Sequence, residues 1–169
     1  MDSSNRKNNI LEILKQASSP VSATSLSKKL GVSRQIIVGD VALLRAAGYD
    51  IDATPRGYVM GADKTTNRSR IVCQHQDADT ERELNIIVDN GCHVVDVIVE
   101  HPVYGQLTGL LNIGSRYDVK VFLQKVAESD AHSLCQLTDG IHIHTIEYPD
   151  SDALERTIAE LKEAGFIYE

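Results

Sequence analysis

Between Ser22 and Gly48 the sequence reads as two short amphipathic helices joined by a turn built on one glycine, and few folds tolerate so abrupt a join. Ser22 can cap a helix running through Leu30, with Leu26 and Leu30 one turn apart on its buried face. Gly31 stands where that helix must leave through a left-handed residue. Ser33 caps the next helix, in which Ile37, Val41 and Leu44 repeat at i, i+4 and i+7 before Ala46-Ala47-Gly48 closes it. An earlier helix is predicted over residues 6–16 from Ile10, Leu11 and Leu14, and residues 17–20 end it. Residues 49–53 and 58–60 flank the turn Thr54-Pro55-Arg56-Gly57 and predict a hairpin. Three helices followed by a hairpin make a winged helix-turn-helix over residues 1–60.

With Ile37, Val41 and Leu44 turned inward, Arg34, Gln35 and Val38 face outward near the start of the third helix. Arg and Gln at such positions can make paired hydrogen bonds to base edges, and the helix N-terminus at Ser33 favours phosphate. Lys28 and Lys29 end the preceding helix, and Arg56 tips the hairpin. The expected DNA-contacting set is therefore Lys29, Ser33, Arg34, Gln35, Val38 and Arg56. Gly39, in mid-helix, costs ~1 kcal/mol against alanine and hints at close approach by another group.

The same three-helix unit can serve as a protein-interaction module, and charge is what favours DNA. The whole chain carries a formal net charge of -7, yet residues 1–70 hold eleven Lys/Arg against six Asp/Glu, a net +5, and the acidity lies in the rest. A basic lobe joined to an acidic one fits a phosphate-binding module attached to something else. At 169 residues the chain has room for two small domains. No apolar run approaches the ~20 residues of a membrane span, and the polar opening MDSSNRKNN does not read as a signal peptide. Cys73, Cys92 and Cys135 are odd in number and lack C-x-x-C spacing, so buried reduced thiols in a cytoplasmic protein are expected.

Residues 61–69 are polar and without periodicity, which predicts a linker, and residues 70–169 then alternate strands with helices. Strands are predicted over residues 70–76, 93–101, 107–113 and 140–147, with a last short one over 165–168. Helices are predicted over residues 79–90, 116–128 (capped by Ser115) and 151–164. The alternation in HVVDVIVEH suggests one buried and one wetter face. The order implies an α+β fold, an α/β sandwich of a largely antiparallel sheet with helices on one face.

All six histidines, His75, His93, His101, His132, His142 and His144, lie in this second part. His142 and His144 form an H-x-H pair on a strand, so period two puts both imidazoles on one face with their Cα atoms roughly 7 Å apart. That spacing suits one transition-metal ion, although strand histidines also serve as ordinary hydrogen-bonded structure. His75 ends a predicted strand, and an acidic helix with Asp79, Glu81 and Glu83 follows. No G-x-S-x-G, P-loop, H-E-x-x-H or G-x-G-x-x-G motif is present, and no catalytic residue is assigned.

Residues 31–58, GVSRQIIVGDVALLRAAGYDIDATPRGY, resemble the helix-turn-helix of niacin-responsive repressors. The segments HPVYGQLTGLLNI (101–113) and LTDGIHIHTI (137–146) resemble the 3H domain of the same family. The resemblance implies repression of genes for NAD-precursor synthesis or uptake, with nicotinic acid as co-repressor. It also implies a divalent metal held by His75, Glu83, His142 and His144, and imidazole-rich ligation suits a borderline ion such as nickel, zinc or iron. His101 either lines the pocket beside the ion or stabilises the HPVYG turn, and Tyr104, Thr108 and Arg116 are candidate partners for the ligand's carboxylate. A homodimer is expected from the need to span two half-sites. Two other readings stay open at this point: a regulator for which the ion itself is the signal, and a metal-dependent enzyme tethered to DNA.

Overall fold

The computed structural model describes residues 2–61, 67–129 and 133–169. Most of the predicted linker (62–66) and His132 lie outside the described residues. The chain divides into two compact units, Met1–Asp63 and Lys64–Glu169.

In the first unit, α1 (Ser3–Gln16), α2 (Ala23–Leu30) and α3 (Arg34–Ala46) precede a hairpin of β1 (Ile51–Thr54) and β2 (Gly57–Met60). The caps are where the sequence puts them. Ser22 Oγ accepts the Ser25 N–H at 3.0 Å and Ser33 Oγ accepts that of Ile36 at 3.3 Å. Gly31 leaves α2 at φ 67°. Ile10, Leu11, Leu14, Leu26, Ile37, Val41, Leu44 and Ile51 bury together. Val21 adds a bridge to the hairpin, exchanging two 2.9 Å backbone hydrogen bonds with Tyr58. Gly57 makes that approach possible, since at φ 136° a Cβ there would stand 2.5 Å from the Val21 carbonyl carbon.

One core residue of this unit is an acid. Asp40 is only 4% exposed and is gripped from α1 by Arg6, whose Nε and Nη2 donate to its two carboxylate oxygens at 2.5 and 3.1 Å. The apolar stripe 37, 41, 44 leaves Asp40 on the same side of α3, one residue before Val41, so the pair fastens α1 to α3 inside the stripe.

In the second unit, β3 (Arg68–Gln74), α4 (Thr80–Asp89), β4 (His93–His101), β5 (Gly105–Ile113), α5 (Arg116–Glu128), β6 (Ile141–Glu147) and α6 (Ser151–Glu163) follow in chain order. Short 3-10 turns occupy Asp77–Asp79 and Leu134–Thr138. The strands form one antiparallel sheet in the order β3-β6-β4-β5. A single core joins sheet residues such as Cys73, Val94, Val97, Ile113 and Ile146 to Leu84, Ile87, Val119 and Leu161 of the helices. The expected α+β architecture is therefore present in both parts. No helix among the described residues is long and apolar enough to cross a membrane.

Three details depart from expectation. The alternation in β4 is broken by a register shift between Val94 and Asp96, after which Val97, Ile98 and Val99 are buried in succession. As an inner strand, β4 is covered at this level on both sides, and the bulge rotates the residues after it. Residues 165–168 add one bridge, Ile167 to Cys73, rather than a strand. The turn at Leu134–Thr138 has no strong sequence signature.

The Arg6–Asp40 pair gives a test. Arg6→Ala strands a buried carboxylate, whereas Asp40→Ala frees a guanidinium that can reach water. Denaturation followed by circular dichroism should rank Arg6→Ala below Asp40→Ala in stability, with the double variant above Arg6→Ala. An Arg6→Ala protein as stable as the unmodified chain would remove the pair from the account of this unit.

Candidate functional site

β6 is entered through two consecutive left-handed residues, Asp139 at φ 53° and Gly140 at φ 85°. The Gly140 carbonyl accepts the His75 N–H at 3.3 Å and the His142 Nδ1–H at 2.8 Å. A Cβ on Gly140 would lie 2.2 Å from the His75 carbonyl oxygen, so only glycine lets the two segments meet here. In the ladder Cys73 faces His142 and Ile71 faces His144. The period of two then puts Cys73, His142 and His144 on the helix-covered face, with His75 arriving beyond the end of β3.

Onto this face the first turn of α4 delivers Glu83, 1% exposed. Its Oε1 lies 2.9 Å from His142 Nε2 and 3.1 Å from His144 Nε2, and its Oε2 contacts His75 Nε2. The His142 ring stands edge-on to those of His75 and His144, both 4.8 Å away between centroids. Each imidazole is oriented from behind by a backbone carbonyl: Nδ1 of His75 donates to Gln76, that of His142 to Gly140 and that of His144 to Asp96, all at 2.8 Å. The Asp96 side chain meanwhile accepts the Thr145 N–H at 3.1 Å, so the residue after the β4 bulge serves both β6 and its histidine.

Carbonyls only accept, so each Nδ1 carries a proton, and in a neutral ring each Nε2 is then a lone pair. Three lone pairs facing a carboxylate repel it unless protons or a cation lie between them. The electrostatics of the cluster register this. Burial pushes all three histidines down, but contact with Glu83 outweighs it and raises His75 and His144. Hydrogen bonds to Cys135 and Glu83 take His142 up to about 9. Burial would push the Glu83 carboxyl up, yet the charge of His144 and close contact with the three rings hold it well below the usual range. Even so, His144 Nε2 makes no well-formed hydrogen bond and is an orphaned buried nitrogen.

An imidazole-rich set with one carboxylate, each Nε2 turned toward that carboxylate and each Nδ1 anchored by a main-chain carbonyl, is the donor chemistry of a divalent transition ion. The residues present fit such an ion. Cys73, read from the sequence as inert core, also borders the cluster: its Sγ, a Glu83 oxygen and a His142 nitrogen all lie within 4.8 Å of one another. Burial first, and then Glu83, push its thiol far up. Counting back by two from His75 along β3 would have found it.

The expected ligand-contacting residues are spread out. His101 Nδ1 accepts the N–H groups of Val103 and Tyr104 at 3.1 and 3.2 Å, and the two rings stack at 4.9 Å, so His101 builds the β4–β5 turn. It also lines an open cavity of about 470 Å³ with Glu100, Gln106 and Thr138. Thr108 pairs with Ile98, on the opposite face of the sheet from His144. Arg116 is held by Asp89 through bonds of 2.8 and 2.5 Å beside a second cavity of about 340 Å³.

In the first unit Lys29, Ser33, Arg34 and Gln35 are exposed, and Val38 and Arg56 half-buried. Arg34 and Gln35 open α3 directly after the Ser33 cap. The space over Gly39 is open, so what glycine spares there is no neighbour within the unit.

Residues 6–59 match an HTH domain family and residues 68–169 the 3H domain family. The chain is similar to the probable transcription repressor NiaR of Thermotoga maritima, 42% identical over 97% of this chain and 94% of that protein. It is equally similar to the transcription repressor NadR of Bacillus subtilis, 42% identical over 96% of this chain and 93% of its relative. Kinship with repressors along nearly the whole length removes the tethered-enzyme reading. An exposed helix-turn-helix, a 3H domain and these relatives together establish that the chain belongs to the NiaR/NadR family of DNA-binding transcription repressors.

Proposed function

We propose that the protein represses genes for NAD-precursor (niacin) synthesis or uptake, that nicotinic acid is its co-repressor, and that a divalent transition ion is held by His75, Glu83, His142 and His144. The observation that carries the metal is the orientation of the three imidazoles, each with Nδ1–H on a main-chain carbonyl and Nε2 toward Glu83. Nicotinic acid rests on the likeness of HPVYGQLTGLLNI and LTDGIHIHTI to niacin-responsive repressors. A bound ion would supply a Lewis-acidic position that a pyridine nitrogen, a borderline donor like imidazole, can occupy. The carboxylate of the ligand would need a donor. His101 has one, because Nδ1 accepts from the turn and leaves the proton on Nε2. The operator is read by α3 of two copies, since such motifs bind paired half-sites as dimers.

A second reading, in which the ion alone is the signal, draws support from the depth of the cluster: none of its four side chains is more than 7% exposed.

Three outcomes follow. Arg34→Ala with Gln35→Ala removes two exposed direct contacts, each worth ~1–3 kcal/mol, and should abolish specific operator binding with the fold intact. Operator affinity within twofold of the unmodified chain in a gel-shift assay would take base reading away from α3. Elemental analysis after mild purification should find near one transition ion per chain, lost in His142→Ala plus His144→Ala and depleted in Gly140→Ala, which removes no ligand but displaces His75. Protein that is metal-free and cannot be reloaded would end the metal assignment.

Because ligand and DNA affinities are reciprocally linked, nicotinate should tighten operator binding in metal-loaded protein, and nicotinamide, lacking the charge, should do so much less. Fluorescence anisotropy with and without a chelator separates the readings. No nicotinate effect in loaded protein rejects the co-repressor. An ion effect without nicotinate establishes the second reading, and a nicotinate effect that survives metal removal rejects the ion as its anchor.

A further inference from the structure

The sulfur of Cys73 is a donor at the cluster that neither the H-x-H pair nor its histidine and glutamate partners account for. The Cys73 side chain is fully buried. It stands directly opposite His142 in the β3–β6 ladder, and Ile167 bridges to it on the outer side of β3. A thiol in such a place can be simple packing, and the first test is whether its distances suit an ion. Metal–sulfur and metal–nitrogen bonds of about 2.3 and 2.0–2.1 Å allow two ligand atoms on one ion to lie up to about 4.4 Å apart. The mutual separations of Cys73 Sγ, the Glu83 oxygen and the His142 nitrogen, all within 4.8 Å, reach that span with only small adjustment. A second observation involves the same carboxylate: Glu83, which borders the Cys73 sulfur, also lies 3.1 Å from Nε2 of the buried His144.

From this geometry we infer that Cys73 is a fifth ligand, so that the centre is a three-nitrogen, one-oxygen, one-sulfur set. The inference rests on the metal reading above and sharpens it. On coordination the S–H bond breaks, the sulfur keeps the electron pair for the new bond to the ion, and the proton leaves to solvent; no electron is transferred. A thiolate in the set selects thiophilic borderline ions such as zinc, cobalt and nickel over manganese and magnesium, which favour oxygen donors.

Cobalt(II) is the probe. The full-length protein, stripped with a chelator and reloaded with one equivalent of cobalt, should show an intense near-ultraviolet sulfur-to-cobalt charge-transfer band. The band should vanish in Cys73→Ala and in the more conservative Cys73→Ser. It should persist in Cys135→Ala, whose sulfur is not grouped with Cys73, Glu83 and His142. Cobalt stoichiometry in both Cys73 variants should stay near one, because four ligands remain. One cobalt bound to the unmodified chain without the band overturns the Cys73 assignment and leaves the metal reading standing. A band that survives Cys73→Ser also overturns it, and no cobalt binding at all overturns both. The first of these outcomes is read on the unmodified protein, so a variant that fails to fold does not protect the proposal.

Discussion

A carboxylate as deeply enclosed as Glu83 persists only where its charge is answered within hydrogen-bond distance, because an unpaired ion in a protein interior is costly beyond what packing returns. Much of the second unit is arranged around that requirement. α4 begins where it does so that its first turn carries Glu83 onto the sheet, where the positive end of the helix also favours an anion. β6 supplies two rings on one face, and the end of β3 supplies a third from the side. The bulge in β4 leaves Asp96 between two tasks, its carbonyl on His144 and its side chain on the β6 backbone. Were the cluster apolar, none of these irregularities would have an evident purpose.

The first unit solves a smaller version of the same problem. Asp40 interrupts the apolar stripe of α3, and Arg6 answers it with two bonds from α1. Because the pair ties the first helix to the third, it fixes the attitude of the helix that presents Arg34 and Gln35. Among the described residues one buried acid per unit, each neutralised from another element, lets local charge set element placement where apolar contact alone would allow sliding.

What was legible in the sequence follows from how local each signal is. Ser22, Gly31 and Ser33 act on their own backbone, so the helix boundaries of the first unit could be read directly. The period-two placement of His142 and His144 was likewise local. Asp40 was not legible, because its partner lies thirty-four residues away and an acid is ordinarily assigned to the wet side of a helix. Cys73 was missed for a related reason: its importance comes from the register against β6, which no single segment encodes. The bulge in β4 looked like regular alternation because the sequence is apolar on both sides of it. Tyr104, Thr108 and Arg116 are candidates by chemical type alone, and the fold puts Thr108 on the other face of the sheet and ties Arg116 to Asp89.

The three carbonyls behind the imidazoles belong to the main chain at Gln76, Asp96 and Gly140. Their chemistry is therefore independent of which side chain each position bears. A mutational drift that exchanged Gln76 for another residue would leave the acceptor, the tautomer and the ring orientation untouched. Gly140 is the exception, because any side chain there collides with His75. The cradle is in this sense recorded in the path of the backbone and guarded at one position by the glycine.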